Sequence, residues 1–370
     1  MISNKSSVYL GQLDGLRALS VAAVAWSHWR SDLNFYYDPI VPWGELGVET
    51  FFIISGFLIT GILLDNRLSA SRSFVLKQFY ARRFLRIFPL FYAALVILLI
   101  FQAKGVSETW FWHASYLSNV YFYLHGWVGQ LSHFWSLAVE EQFYLVWPLL
   151  MIFLPQRFLL PVILTSILAA PLFEKIMTLA LPNHVTAVTA SVLMPSCLDA
   201  LGIGALLAYG VRKKYPMQRI AFRLLLAGLA GLTLWGVANF PPVFEPWRRL
   251  ATNCVLGWVV YSAAESFRGP FGSWLQNPPL SYVGKISYGL YVVHNFAVPM
   301  CLGLLSSWGH PDWLERLYAI PIVRLLLFII LTVGLAAVSW HLFEKPINNL
   351  KCKFPYPVKD KSNSLAPNGV

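Results

Sequence analysis

Hydrophobic residues in this chain come in long blocks rather than at alternating positions, and polar residues gather in the gaps between the blocks. Apolar blocks near twenty residues long can cross a hydrocarbon core of about 30 Å as helices. They predict about ten spans, near 13–31, 46–64, 87–103, 136–154, 158–173, 190–210, 221–239, 250–266, 286–306 and 321–342. The fifth is interrupted by Pro161 and Pro171, and the eighth carries few bulky aliphatic residues. The expected fold class is an all-α integral membrane protein, a bundle of about ten transmembrane helices. One membrane-embedded domain over 8–347 is followed by a polar tail over 348–370, expected to be cytoplasmic and partly disordered. No internal repeat of the kind many transporters carry is visible.

Composition strengthens this reading. The chain is 57% hydrophobic and only 12% charged, with a mean hydropathy of +0.58, against about 25% charged residues in soluble domains. The net charge of +11 is unevenly spread. Basic residues collect in alternate gaps, around Arg67–Arg86, Arg212–Arg223 and Lys345–Lys361. Basic residues favour the cytoplasmic face, so this spacing predicts that both termini are cytoplasmic, N-in and C-in. The excess charge is thus a topology signal that faces membrane lipids, and no nucleic-acid partner is read from it. The first block follows a polar stretch and lacks a small-residue cleavage pattern, so no cleavable signal peptide is expected. Cys197, Cys254, Cys301 and Cys352 are scattered without ligand spacing; they are read as packing thiols, and no metal is expected.

Four blocks carry candidate chemistry. Arg17 and His28 lie eleven residues apart in the first span, almost three turns, so they share a face about 16 Å apart along the axis. Ionisable groups at such depth are costly and usually face a bundle interior or a wet cavity. In the second span, Ser55 and Gly56 are small enough to let a helix or a ligand approach. Arg82, Arg83 and Arg86 open the third span. Their i, i+3 and i, i+4 spacing gathers them on one face, where guanidinium groups grip phosphate oxygens. Ser136, Glu140 and Tyr144 form an i, i+4, i+8 stripe on the fourth span. Glu141 points about 100° away from it. Glu140 is therefore the better site candidate, near enough to one end of its span to approach His28. Asp199, in the sixth span, requires a partner. His113, His125, His133, His184, His310 and His341 fall in gaps or near interfaces and are expected to be solvated or interfacial.

These blocks, in this order, resemble the acyltransferase 3 family of integral-membrane O-acyltransferases. The matching residues are Leu13 to Arg17 with His28, Gly47 to Thr60, Arg83 to Pro89, and Trp135 to Tyr144. Gly284 to Tyr291 with His294, and Phe343 to Pro346, complete the set. Glu49 stands where many members carry Asp, and Lys345 where Arg is common. The resemblance implies transfer of an acyl group, most often acetyl from acetyl-CoA, to a hydroxyl of a carbohydrate or glycolipid acceptor. It also implies a bacterial inner (plasma) membrane location. His is the side chain poised to take a hydroxyl proton near neutral pH.

The expected catalytic residues are His28 and Glu140, with Arg17, Arg82, Arg83 and Arg86 holding acyl-CoA. Ser136, Tyr144 and His294 are expected to bind substrate. A transporter or flippase for a lipid-linked glycan or small solute fits the buried charges and the number of spans equally well. Strict dependence on acyl-CoA with release of free CoA separates the two.

Overall fold

The computed structural model describes residues 11–30, 33, 41–180, 190–238, 240–241, 244–306 and 318–356. All regular elements among the described residues are helical. In chain order they are α1 (Gly11–Trp29), α2 (Trp43–Asn66), α3 (Arg72–Ile100), the short α4 (Val106–Ala114) and α5 (Ser118–His125), and α6 (Phe134–Phe153). Then come α7 (Gln156–Ala180), α8 (Leu198–Arg212), α9 (Met217–Ala238) and α10 (Glu245–Ala264). The short α11 (Pro270–Leu275), α12 (Pro278–Lys285), α13 (Ser287–Val293) and α14 (Ala297–Ser306) follow. Last are α15 (Pro321–Ser339), a π-helical turn at Trp340–Glu344, α16 (Lys345–Asn349) and a 3-10 turn at Leu350–Lys353. His184, His310 and the tail beyond residue 356 lie outside the described residues.

Among the described residues, seven helices, counted with their flanking turns, are long and apolar enough to cross a membrane: α2, α3, α6, α7, α8, α9 and α15. The other three expected spans are helical but differ in kind. α1 carries Asp14, Arg17 and His28, and α10 carries Glu245, Arg248, Arg249 and Asn253, so neither is apolar enough to qualify on composition alone. The span expected at 286–306 is cut in two by a turn at residues 294–296. The reverse holds for α7, which continues past both Pro161 and Pro171 to Ala180. Proline inside a membrane helix is tolerated because neighbouring helices and small local adjustments satisfy the freed backbone groups.

The core forms where α2 meets α8. A side chain at Gly56 would run into the carbonyl of Leu201, and one at Gly204 into that of Ile53. Each helix thus presents a bare glycine to the other's backbone, which is how helices pack closely without a hydrophobic driving force between them. α1 and α6 close around α2, and Phe52, Phe79, Phe91, Phe134 and Phe143 are fully buried between these helices and α3. α9 and α15 lie at the periphery and turn Phe222, Leu226, Leu234, Ile322, Leu326 and Ile330 outward, the arrangement that suits lipid rather than water.

Candidate active site

The stripe expected on α6 forms. Ser136, Glu140 and Tyr144 line one narrow cavity of about 90 Å³ together with Ser55 of α2, Arg17 of α1 and Arg83 and Arg86 of α3. Tyr144 donates from its hydroxyl to Ser55 Oγ at 3.1 Å, and Ser55 Oγ donates to Glu140 Oε1 at 2.6 Å. The Arg83 guanidinium lies over the Tyr144 ring, 5.0 Å from its centre. Arg17 is held at 2.8 Å by Asp14 one turn earlier. Gly56 serves helix packing while its neighbour Ser55 faces the cavity, so the two small residues divide the roles open to them. Arg82 is placed elsewhere. Its guanidinium donates to the carbonyls of Lys351 and Phe354, both at 3.1 Å, and stacks on Tyr356. Glu141 does not line the cavity, as its different angular position on α6 requires.

His28 belongs to a second, far larger cavity of about 780 Å³, lined also by His133, Trp127, Glu49, Glu174 and Arg249. α1 therefore reaches from one cavity to the other, with Arg17 in the first and His28 in the second. Val48 and Tyr291 line both, so they form the partition between them. Ser136 Oγ and the Tyr291 hydroxyl are hydrogen-bonded at that partition, and Tyr291 also donates to the His133 carbonyl at 3.1 Å. Glu140 lines the arginine cavity and not that of His28, so the approach anticipated between the two is not formed.

His294 takes that place. Its Nε2 is 2.8 Å from His28 Nδ1, and its Nδ1 is 2.7 Å from the carbonyl oxygen of Tyr291. A carbonyl only accepts, so His294 Nδ1 carries a hydrogen, and the neutral ring offers Nε2 as an acceptor. His28 Nδ1 is then the donor, which leaves the lone pair of His28 on Nε2. His294 ends the helical run of α13, its N–H still bonded to the Leu290 carbonyl, at the break that divides α13 from α14. His294 stands in the turn, its backbone carbonyl accepting from Trp29 Nε1 at 2.9 Å, while Asn295 Nδ2 donates to the Gln130 carbonyl at 2.7 Å.

Two expectations about histidines are corrected. His133 and His113 are not interfacial but buried. The His133 ring lies 4.6 Å from His294 and 6.1 Å from His28, centre to centre. Its Nε2 donates to the Val292 carbonyl at 3.2 Å, so its Nδ1 holds the lone pair. The available signal was adjacency, since His133 immediately precedes Phe134, Trp135 and Ser136. His125 and His341 are exposed, as expected.

Asp199 finds its partners on α10. Arg249 is fully enclosed and lies 2.5 Å from Glu174, 3.5 Å from Asp199 and 3.6 Å from Glu49. Asn253 donates to Glu49 at 3.0 Å and to Asp199 at 3.1 Å. Four helices contribute to this cluster and no local motif marks it, so only the folded chain reveals it. Removing one member of such a buried network leaves the others without compensation, at a cost of about 3–5 kcal/mol.

The comparisons with known proteins bear on this site. A family model for the acyltransferase domain, acyltransferase 3, matches residues 10–341. The chain belongs to that family. The match covers every residue of both cavities. The chain is 28% identical over 369 residues to the peptidoglycan O-acetyltransferase OatA of Listeria monocytogenes, covering 92% of this chain and 56% of that protein. It is 28% identical over 385 residues to the O-acetyltransferase OatA of Staphylococcus aureus, covering 96% of this chain and 60% of that protein. The chain thus spans little more than half the length of the curated relatives it matches. No solved structure matches it significantly.

Proposed function

We propose that this acyltransferase 3 member is a multi-pass membrane O-acetyltransferase that moves acetyl from acetyl-CoA to a carbohydrate hydroxyl. The observation that carries the proposal is the orientation of His28. His294, itself tied to the Tyr291 carbonyl, accepts from His28 Nδ1 and so directs the basic lone pair to Nε2. A histidine with its hydrogen-bonded nitrogen anchored and its other nitrogen basic is the arrangement a general base requires.

The two cavities suit two substrates. The arginine cavity, with Arg17, Arg83 and Arg86, suits the phosphates of CoA, because guanidinium forks match phosphate oxygens. With the N-terminus in the cytoplasm, as the distribution of basic residues favours, that cavity opens on the side where acyl-CoA is made. The large cavity takes the acceptor. Trp127 offers a flat apolar face to a sugar ring, and the carboxylates of Glu49 and Glu174 accept from hydroxyls. The relatives' names point to a bacterial cell-envelope glycan as the acceptor class.

Reaction occurs at the partition. His28 Nε2 takes the proton of the acceptor hydroxyl as its oxygen attacks the thioester carbonyl carbon. A C–O bond forms, and the C–S bond breaks as the tetrahedral intermediate collapses. The CoA thiolate leaves and recovers the proton from the imidazolium. The Ser136 and Tyr291 hydroxyls stand at the partition and donate to the transient oxyanion on releasing the His133 carbonyl and each other, which hold them in the resting protein. His294 is a positioning residue rather than a substrate-binding one, and Glu140 supports the arginine cavity through Ser55.

The test is free-thiol release from acetyl-CoA by purified protein, with and without a bacterial envelope glycan extract. Acceptor-stimulated release is expected in the wild type, falling at least a hundredfold in a folded His28→Ala variant. Equal release by both removes His28 from the chemistry. Uptake of a glycan without thiol release would instead favour a transporter.

A further inference from the structure

The chain beyond the last long helix folds back onto the arginine end of α3. Arg82 donates to the carbonyls of Lys351 and Phe354, and its guanidinium lies 5.2 Å from the centre of the Tyr356 ring. Residues 345–356 therefore form a strap pinned across α3 one turn from Arg86. The strap contains Lys345, Lys351 and Lys353 and no acidic residue. Its three lysines are not equivalent. Lys345 and Lys353 are exposed, whereas Lys351 is half-buried and sits in the electrostatic field of Arg86, Arg83 and Arg82. No hydrogen bond or ion pair to a carboxylate is made by the Lys351 ammonium among the described residues.

Arg83 and Arg86 have the carboxylates of Glu140 and Glu344 near them, but Lys351 has none of its own among the described residues and is repelled by the three arginines at any effective dielectric. The fold holds them together through the backbone carbonyls that Arg82 captures, which leaves the charges themselves unpaired with the strap. An arrangement of this kind gains most from a multiply charged anion, because each cation's repulsion becomes an attraction. The nucleotide end of CoA carries several phosphate groups, and Arg83 and Arg86 already line the cavity proposed for it.

We propose that the strap is part of the donor site and that Lys351 is a further phosphate-binding residue for the CoA nucleotide. This rests on the donor reading given above. A membrane phospholipid headgroup presents the same chemistry. The half-buried position of Lys351 beside cavity-lining arginines favours the nucleotide, while exposed Lys345 and Lys353 are placed to meet headgroups. Arg82 is then a positioning residue. It carries the strap rather than a phosphate.

The experiment measures binding of CoA and the KM for acetyl-CoA, with the full chain in nanodiscs of phosphatidylcholine alone and again with anionic lipid added. Lys351→Gln is expected to weaken CoA binding and raise KM about tenfold in both lipids, the scale of a lost charge-assisted contact. Lys351→Arg should recover most of that loss, and Lys353→Gln should leave both quantities unchanged. Tyr356→Ala loosens the strap without altering its charge and should weaken binding in the same direction. Wild-type affinity in Lys351→Gln overturns the proposal. An effect seen only with anionic lipid also overturns it, in favour of a headgroup site. If the wild type binds no CoA, the donor reading itself falls and this assignment falls with it. Thermal unfolding of each variant separates lost binding from lost folding.

Discussion

His28 is directed by one neighbour, and the consequence is measurable. Its Nδ1 donates to His294 Nε2 at 2.8 Å only because His294 Nδ1 is committed to the Tyr291 carbonyl. Replacing His294 with Ala removes that direction while leaving His28 in place. Turnover should fall about a hundredfold or more, as happens when a catalytic histidine loses its tautomer partner, with little change in KM for acetyl-CoA. A drop in KM-governed binding with turnover intact would place His294 on the substrate instead. At this scale the sequence was informative where a residue's identity implies its chemistry. His28, Arg17, Arg83 and Arg86 were recognisable because ionisable groups in apolar helices need a reason to be there. Which nitrogen is basic was not legible, because it depends on His294, 266 residues further along the chain, and on the Tyr291 carbonyl that fixes its tautomer.

Among the elements, helix existence followed closely from apolar block length, and the departures have causes. α7 ignores two prolines because the surrounding helices absorb the lost backbone bonds. The ninth span breaks at 294–296, just where His294, still bonded through its own N–H to the Leu290 carbonyl, meets His28. Polar α10 is accommodated in the bundle because the Arg249 guanidinium pairs with, and the Asn253 amide donates to, carboxylates from three other helices. Close packing of α2 on α8 relies on Gly56 and Gly204. Gly204→Leu should cost at least about 1–3 kcal/mol by overpacking, read as a lower unfolding midpoint in detergent. Gly236→Ala, where an added methyl meets nothing within 4 Å, provides the neutral comparison.

At the scale of the whole molecule, the arrangement is two cavities that share a wall. Val48 and Tyr291 line both, so any transfer between substrates held in separate cavities passes that wall. Val48→Trp should block it. Acetyl-CoA binding is expected to persist while acceptor-stimulated thiol release falls at least tenfold, in protein whose unfolding midpoint stays near wild type. Release unaffected by the indole would mean that transfer does not pass between the cavities there.

What the sequence by itself determined was the solvent of the protein and the inventory of its chemistry. Apolar block lengths are set by the thickness of the bilayer, so they are written locally along the chain. The ordered motifs likewise identified the family, because each is a short run on a single helix. Tertiary structure alone decided who meets whom. It paired His28 with His294, sent Glu140 to the arginine cavity, brought buried His133 to the histidines, and assembled the Arg249 cluster from four helices. The physical reason is the same in each case. A helix dictates which residues share its own face, but the rotation and depth at which it meets its neighbours follow from packing, here from glycines pressed against facing backbones.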